Sequence, residues 1–147
     1  MIYIGIDPGI NGGIAALEAD GFVASVAPMP SSDRDMLTKL NEMKIGSSRA
    51  MLEFVRSSPQ MGVASSFKFG CGYGGLRMAL AACEIPFDEV TPLKWQNAMG
   101  CRTRGDKNVS KRRAQELFPS LKVTHALADA LLLAEYCRRL HRLKGVA

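Results

Sequence analysis

Three carboxylates of this 147-residue chain, Asp7, Glu53 and Asp129, stand among apolar residues, where an unpaired charge is costly. Asp7 ends a segment in which Ile2, Ile4 and Ile6 alternate with Tyr3, Gly5 and Asp7, the period-two pattern of a strand with two different faces. Glu53 lies in the almost wholly apolar run Arg49-Ala50-Met51-Leu52-Glu53-Phe54-Val55, which reads as a strand covered on both sides. Asp129 shares a helical face with Leu132, Leu133 and Tyr136, so it points inward. Three acids converging without bases between them repel, and binding a divalent cation resolves that repulsion. Oxygen ligands with room for substrate phosphates suit Mg²⁺, with Mn²⁺ as the alternative. Two such ions about 4 Å apart activate a water and stabilise the leaving oxygen in phosphodiester cleavage. His125, one turn before Asp129, is placed to complete the ligand set or to orient the water. Each of these residues also has a plainer reading. Asp7 can open an Asp-Pro turn, Glu53 can sit on an amphipathic helix, and His125 can lie on the surface of a helix start. His141 is read as surface.

The elements that must carry these groups follow from turn and cap signals. Pro8-Gly9 stops the first strand, since Pro lacks the ladder donor and Gly permits a turn. Strands at 14–17 and 22–27, joined through Ala19-Asp20-Gly21, complete an antiparallel three-strand meander. Ser31 or Ser32 caps a helix reaching about Met43. The strand at 49–55 brings Glu53 beside Asp7 if it pairs with the first. Residues 57–66 read as a polar loop, leading into Phe67-Lys68-Phe69-Gly70-Cys71-Gly72-Tyr73-Gly74-Gly75 and then a helix at 76–84. There the glycines allow close backbone approach, and Phe67, Phe69 or Tyr73 can stack on unpaired bases or serve as core knobs. A strand at 85–90 precedes a helix at 93–99 in which Trp95 is a core anchor. A basic loop at 100–107 then leads to a helix at 111–118, capped by Asn108 or Ser110. The last helix, 124–144, is rich in Ala and Leu, with basic residues in its final turns, where they suit the helix dipole.

Composition narrows the function classes. One domain spanning 1–147 has room for a single sizeable core. No run approaches the ~18 apolar residues of a membrane span, and Met1 leads directly into a strand, leaving no room for a signal peptide. The expected location is the cytoplasm of a bacterium or of a phage-infected cell. Cys71, Cys83, Cys101 and Cys137 contain no C-x-x-C pair, which argues against a zinc site or disulfide framework. The glycines at 9–13 lack the phosphate-loop pattern, so no small-molecule cofactor is expected. Residues 91–147 hold twelve Lys/Arg against four Asp/Glu, whereas the first ninety carry a net −3. A basic C-terminal third on a near-neutral body points to a polyanion partner, nucleic acid first and an anionic membrane surface second.

The order meander, helix, strand with Glu, and final helix with an acid resembles the ribonuclease H-like fold. That is an α/β class with a mixed sheet, an antiparallel meander plus parallel strands, flanked by helices. Ile4-Gly5-Ile6-Asp7-Pro8-Gly9 resembles the opening of RuvC-type Holliday junction resolvases. Gly62-Val63-Ala64-Ser65-Ser66-Phe67-Lys68-Phe69-Gly70, Val90-Thr91-Pro92-Leu93-Lys94-Trp95-Gln96 and Ala128-Asp129-Ala130-Leu131-Leu132-Leu133-Ala134 resemble the shorter phage and poxvirus-like branch, and the likeness spans most of 1–137. The resemblance implies a homodimeric, Mg²⁺-dependent endonuclease that nicks four-way DNA junctions symmetrically. It implies Asp7, Glu53 and Asp129 as metal ligands and Lys107 near the scissile phosphate. It also implies Phe67 or Phe69 at the junction centre, beside a DNA surface of Lys68, Arg102, Arg104, Lys107, Lys111 and Arg112. Relatives of this branch usually carry Asp-Gly-x-Ala-Asp/Glu at the last helix. Here the string is His125-Ala126-Leu127-Ala128-Asp129, so His takes the place of a fourth carboxylate. Two other readings stand beside this one: a branched-DNA binding protein that does not cleave, and a ribonuclease H-like nuclease acting on RNA or RNA–DNA hybrids.

Overall fold

The computed structural model describes residues 1–144, with the side chains of 143 and 144 left out. Five strands form one sheet: β1 (Ile2–Asp7), β2 (Gly13–Leu17), β3 (Val23–Pro28), β4 (Ser48–Glu53) and β5 (Phe87–Val90). Their order is β3-β2-β1-β4-β5. β1, β2 and β3 pair antiparallel, while β1, β4 and β5 run parallel. The meander and the mixed sheet are therefore as expected from the sequence. The helices are α1 (Asp33–Met43), α2 (Val63–Ala82), α3 (Pro92–Met99), α4 (Lys107–Leu117) and α5 (His125–Lys144).

Strand parity decides what reaches which face. Ile2, Ile4, Ile6, Ile14, Ala16, Ala50 and Leu52 pack with Met36, Leu40, Leu76 and Leu80 of α1 and α2. Tyr3, Ala15, Leu17 and Met51 pack with Trp95 and Met99 of α3, Ala114 of α4 and Leu131 to Ala134 of α5. Each fully buried Leu or Ile contributes about 1.5–3 kcal/mol. Asp7 follows Tyr3 and Gly5 in phase, and Glu53 follows Met51, so both acids project toward the α5 face. The parallel register Ile6↔Leu52 sets them side by side at the strands' C-terminal ends.

α5 reaches this spot because β1 has no side chain beneath it. A Cβ on Gly5 would stand 2.1 Å from the Ala130 carbonyl oxygen and 2.2 Å from the Ala134 nitrogen. The helix backbone thus rests directly on the strand, one residue past Asp129.

Three local readings differ from the structure. Residues 57–66 are not all loop, and the Phe-Gly stretch at 67–75 is not a connector. Residues 63–66 and all of 67–75 belong to the single 20-residue helix α2. Four glycines in a dozen residues disguise a helix, because Gly is the weakest former after Pro. α4 starts at Lys107 rather than Lys111, since Asp106, not Asn108 or Ser110, accepts the capping bond from the Asn108 amide at 2.9 Å. His141 is not a free surface group: its Nε2 lies 3.2 Å from Asp88, which Arg49 also contacts.

Candidate metal and nucleic-acid site

Asp7 takes part in the turn and is also withdrawn from water. Its Oδ1 accepts the Gly9 amide at 3.3 Å, closing the turn, while most of the side chain is shielded from water. Gly12 crowds it from the other side, where a Cβ would come 2.3 Å from the Asp7 carbonyl oxygen. Burial first, then the charge of Asp129, lifts its pKa from 3.8 to about 6. Glu53 is raised further, from 4.5 to about 7, by burial and by the charges of Asp7 and Asp129, against the opposing bond from Trp95. Burial also raises Asp129, while Ser110, Lys107 and His125 draw it back. Asp129 Oδ1 is buried with no hydrogen-bond partner. Glu53 thus feels the charges of Asp7 and Asp129, and Asp7 that of Asp129.

The structure brings Asp7, Glu53 and Asp129 to one locus. Lys107, the exposed first residue of α4, acts electrostatically on both Asp7 and Asp129. His125, exposed at the start of α5, acts on Asp129. Among the described residues no three His, Cys, Asp or Glu side chains stand close enough to form a ready-made metal cage. Mg²⁺ favours one or two carboxylates plus water and substrate phosphate over a protein cage. The unpartnered Oδ1 of Asp129 and the mutually strained acids fit such an open site.

Several contributors went unnoticed in the sequence. Trp95, fully buried, donates its indole N–H to Glu53 Oε2 at 2.6 Å. A lone buried Trp needs a partner for that donor, which was the available signal. Ser110, only 2% exposed, lies beside Asp129, and so does Cys101, whose thiol is pushed up to about 11 by burial and the Asp129 charge. Gln115 receives the Val123 amide at 3.2 Å and donates to the Leu121 carbonyl at 2.8 Å, fixing the approach to α5.

The nucleic-acid candidates lie on α2, on the loop before α4 and on α4 itself. Arg102 and Arg104 lie exposed on the loop before α4, and Lys111 and Arg112 continue along α4, with Arg112 the more exposed. On α2, Phe67 is 75% exposed, Lys68 is exposed and Phe69 is half-buried. Tyr73 is engaged elsewhere: its hydroxyl donates to Glu89 and its ring meets Phe54 edge-on.

No protein-family model matches the chain, and no curated protein matches it either. Two of the similar solved structures match it over nearly its whole length. Thermus thermophilus RuvC in complex with a Holliday junction substrate is 17% identical, covers 97% of this chain and 96% of its own, and superposes with a TM-score of 0.73. A second Thermus thermophilus RuvC structure is 21% identical over 98% of this chain and 97% of its own, with a TM-score of 0.67. The chain has the ribonuclease H-like fold of those structures, with the mixed five-stranded sheet expected from its sequence.

Proposed function

We propose that the protein is a divalent-metal-dependent endonuclease that nicks four-way DNA junctions symmetrically as a homodimer, in the cytoplasm of a bacterium or phage-infected cell. The observation that carries this reading is the convergence of Asp7, Glu53 and Asp129, with Asp129 Oδ1 buried and unpartnered. The fold shared with a junction-bound RuvC supports the substrate class.

In this reading Asp7, Glu53 and Asp129 hold Mg²⁺, or Mn²⁺ in its place, with His125 beside Asp129. The bound ion supplies Lewis acidity at the scissile phosphate and eases deprotonation of the attacking water. Lys107 faces the same phosphate and offsets its charge. Arg102, Arg104, Lys111 and Arg112 hold the flanking backbone, which sets register rather than sequence. Phe67, with Lys68 and Phe69, stacks on bases unpaired at the junction centre. A second copy placed across the outer side of α2 would present two such sites for paired nicks. Val63 and Phe67 are exposed there, and Gly70, Gly72 and Gly74 leave open space.

The test is cleavage of an end-labelled four-way junction beside linear duplex and RNA–DNA hybrid, with Mg²⁺, with Mn²⁺ and with EDTA. Paired nicks on opposing strands, confined to the junction and to metal, are expected. Preferential cutting of the hybrid would move the protein to RNA-directed nucleases. A second reading is a junction-binding protein that does not cleave. It predicts tight binding with no nicking in either metal.

A further inference from the structure

The hydrogen bond from Trp95 to Glu53 joins the core to the acidic locus. Trp95 is fully enclosed in the core between α3, α5 and the sheet, and a buried indole N–H needs an acceptor. Backbone carbonyls ordinarily meet that need, and at no cost to a charged group. Here the acceptor is an acid at the end of β4, on the face it shares with Asp7 and Asp129, at 2.6 Å. Among the described residues the other oxygen of Glu53 has no hydrogen bond.

We propose that Trp95 is a positioning residue for the divalent cation, fixing one oxygen of Glu53 so that the other is left for the ion. The inference rests on the metal-dependent reading above. A glutamate side chain has three rotatable bonds, and a carboxylate free to swing loses entropy when an ion captures it. Trp95 is held by close packing, in a helix with defined ends. Pro92 opens the helix and Gly100, at φ +66°, closes it, while Trp95 and Met99 are buried beneath it. The donor is thus held rigidly by the core, and Glu53 inherits that rigidity. Outer hydrogen-bond partners of metal ligands typically change affinity by ~10–100-fold when removed.

The test is Mn²⁺ binding to the DNA-free protein, followed by paramagnetic resonance of the free ion, for the native chain, W95F, E53Q, D7N and the E53Q/W95F pair. Trp95→Phe keeps the buried ring and loses the donor. It is expected to weaken Mn²⁺ binding by about tenfold, and to add nothing once Glu53 is already Gln. Unchanged affinity in W95F, or an equal loss in the E53Q background, would overturn the positioning role while leaving the metal site standing. Mn²⁺ binding insensitive to both E53Q and D7N would instead sink the metal reading and this inference with it. A second readout needs no change at Trp95, which is the chain's sole tryptophan. Its emission should change saturably with Mg²⁺ in the native protein and stay flat in E53Q. A flat response in native protein that does bind Mn²⁺ through Asp7 counts against the proposal, whether or not W95F folds.

Discussion

Asp7 and Glu53 are raised above their ordinary values, and the sign of that shift has a consequence for stability. Asp7 moves from 3.8 to about 6 and Glu53 from 4.5 to about 7. Between the unfolded and folded values the native state keeps a proton that the unfolded chain has lost, so stability falls as pH rises through that window. The contribution of these acids is complete below about pH 4 and is gone above about pH 7. After allowance for solvent screening each amounts to roughly 1–2 kcal/mol. In EDTA, Asp7→Asn should therefore raise the melting temperature at pH 8 and leave it nearly unchanged at pH 4. Scanning calorimetry at the two pH values checks this, and a lower melting temperature at pH 8 would mean that the Gly9 turn depends on the charge. The same substitution should abolish nicking while junction binding persists, as a gel-shift assay in EDTA beside the cleavage assay would register. Divalent binding to the native site should strengthen from pH 6 to pH 8, with proton release, because the ion competes with those protons.

At the scale of elements, the close approach of α5 to β1 makes Gly5 the most sensitive position in the sheet. A methyl group there meets helix backbone at 2.1 and 2.2 Å, with no flexible side chain to give way. Gly5→Ala should cost at least ~3 kcal/mol, more than ordinary overpacking, and urea unfolding would measure it. Much of this architecture was readable from the sequence. The alternation of Ile2, Ile4 and Ile6 with Tyr3, Gly5 and Asp7 gave both the strand and the face of its acid. The periodicity of Asp129, Leu132, Leu133 and Tyr136 did the same for α5, whose last three members are buried. What stayed hidden depended on distant partners. His141 pairs with Asp88 from β5, and Trp95 bonds Glu53 across 42 positions, neither of which leaves a local pattern. α2 was misread for a different reason. Its glycines argue against a helix locally, and only Leu76, Ala79 and Leu80 near its end are buried to stabilise it. The open space around Gly72 and Gly74 yields a discriminating prediction. In a monomer, Ala at each should stabilise the helix by about 1 kcal/mol. If a second copy packs on that side, the same changes should weaken the dimer instead, which sedimentation at several concentrations would reveal.

For the whole molecule, the governing feature is the separation of charge, with the first ninety residues at net −3 and a basic remainder. α4 packs on α5 and places Ser110 beside Asp129, and Lys107 at its start acts on both Asp7 and Asp129. Repulsion between DNA phosphates and three acids has to be overcome by basic side chains or by bound metal. In EDTA, junction binding should therefore fall steeply with salt, each phosphate contact contributing about 0.9 to the slope of log affinity against log salt. Arg112, exposed on α4, and Phe67, exposed on α2, should separate in the same titration. Arg112→Gln removes one cation and should lower that slope by about one unit, weakening junction and linear duplex alike. Phe67→Ala removes no charge, so the slope should hold, while preference for the junction over duplex drops by the ~1–3 kcal/mol that one stacked base contributes. The two effects must stay distinct if phosphates are held by α4 and the junction centre by α2. A slope reduced by Phe67→Ala, or a junction preference lost in Arg112→Gln, would mean that one surface does both and that the division of labour between the helices is wrong.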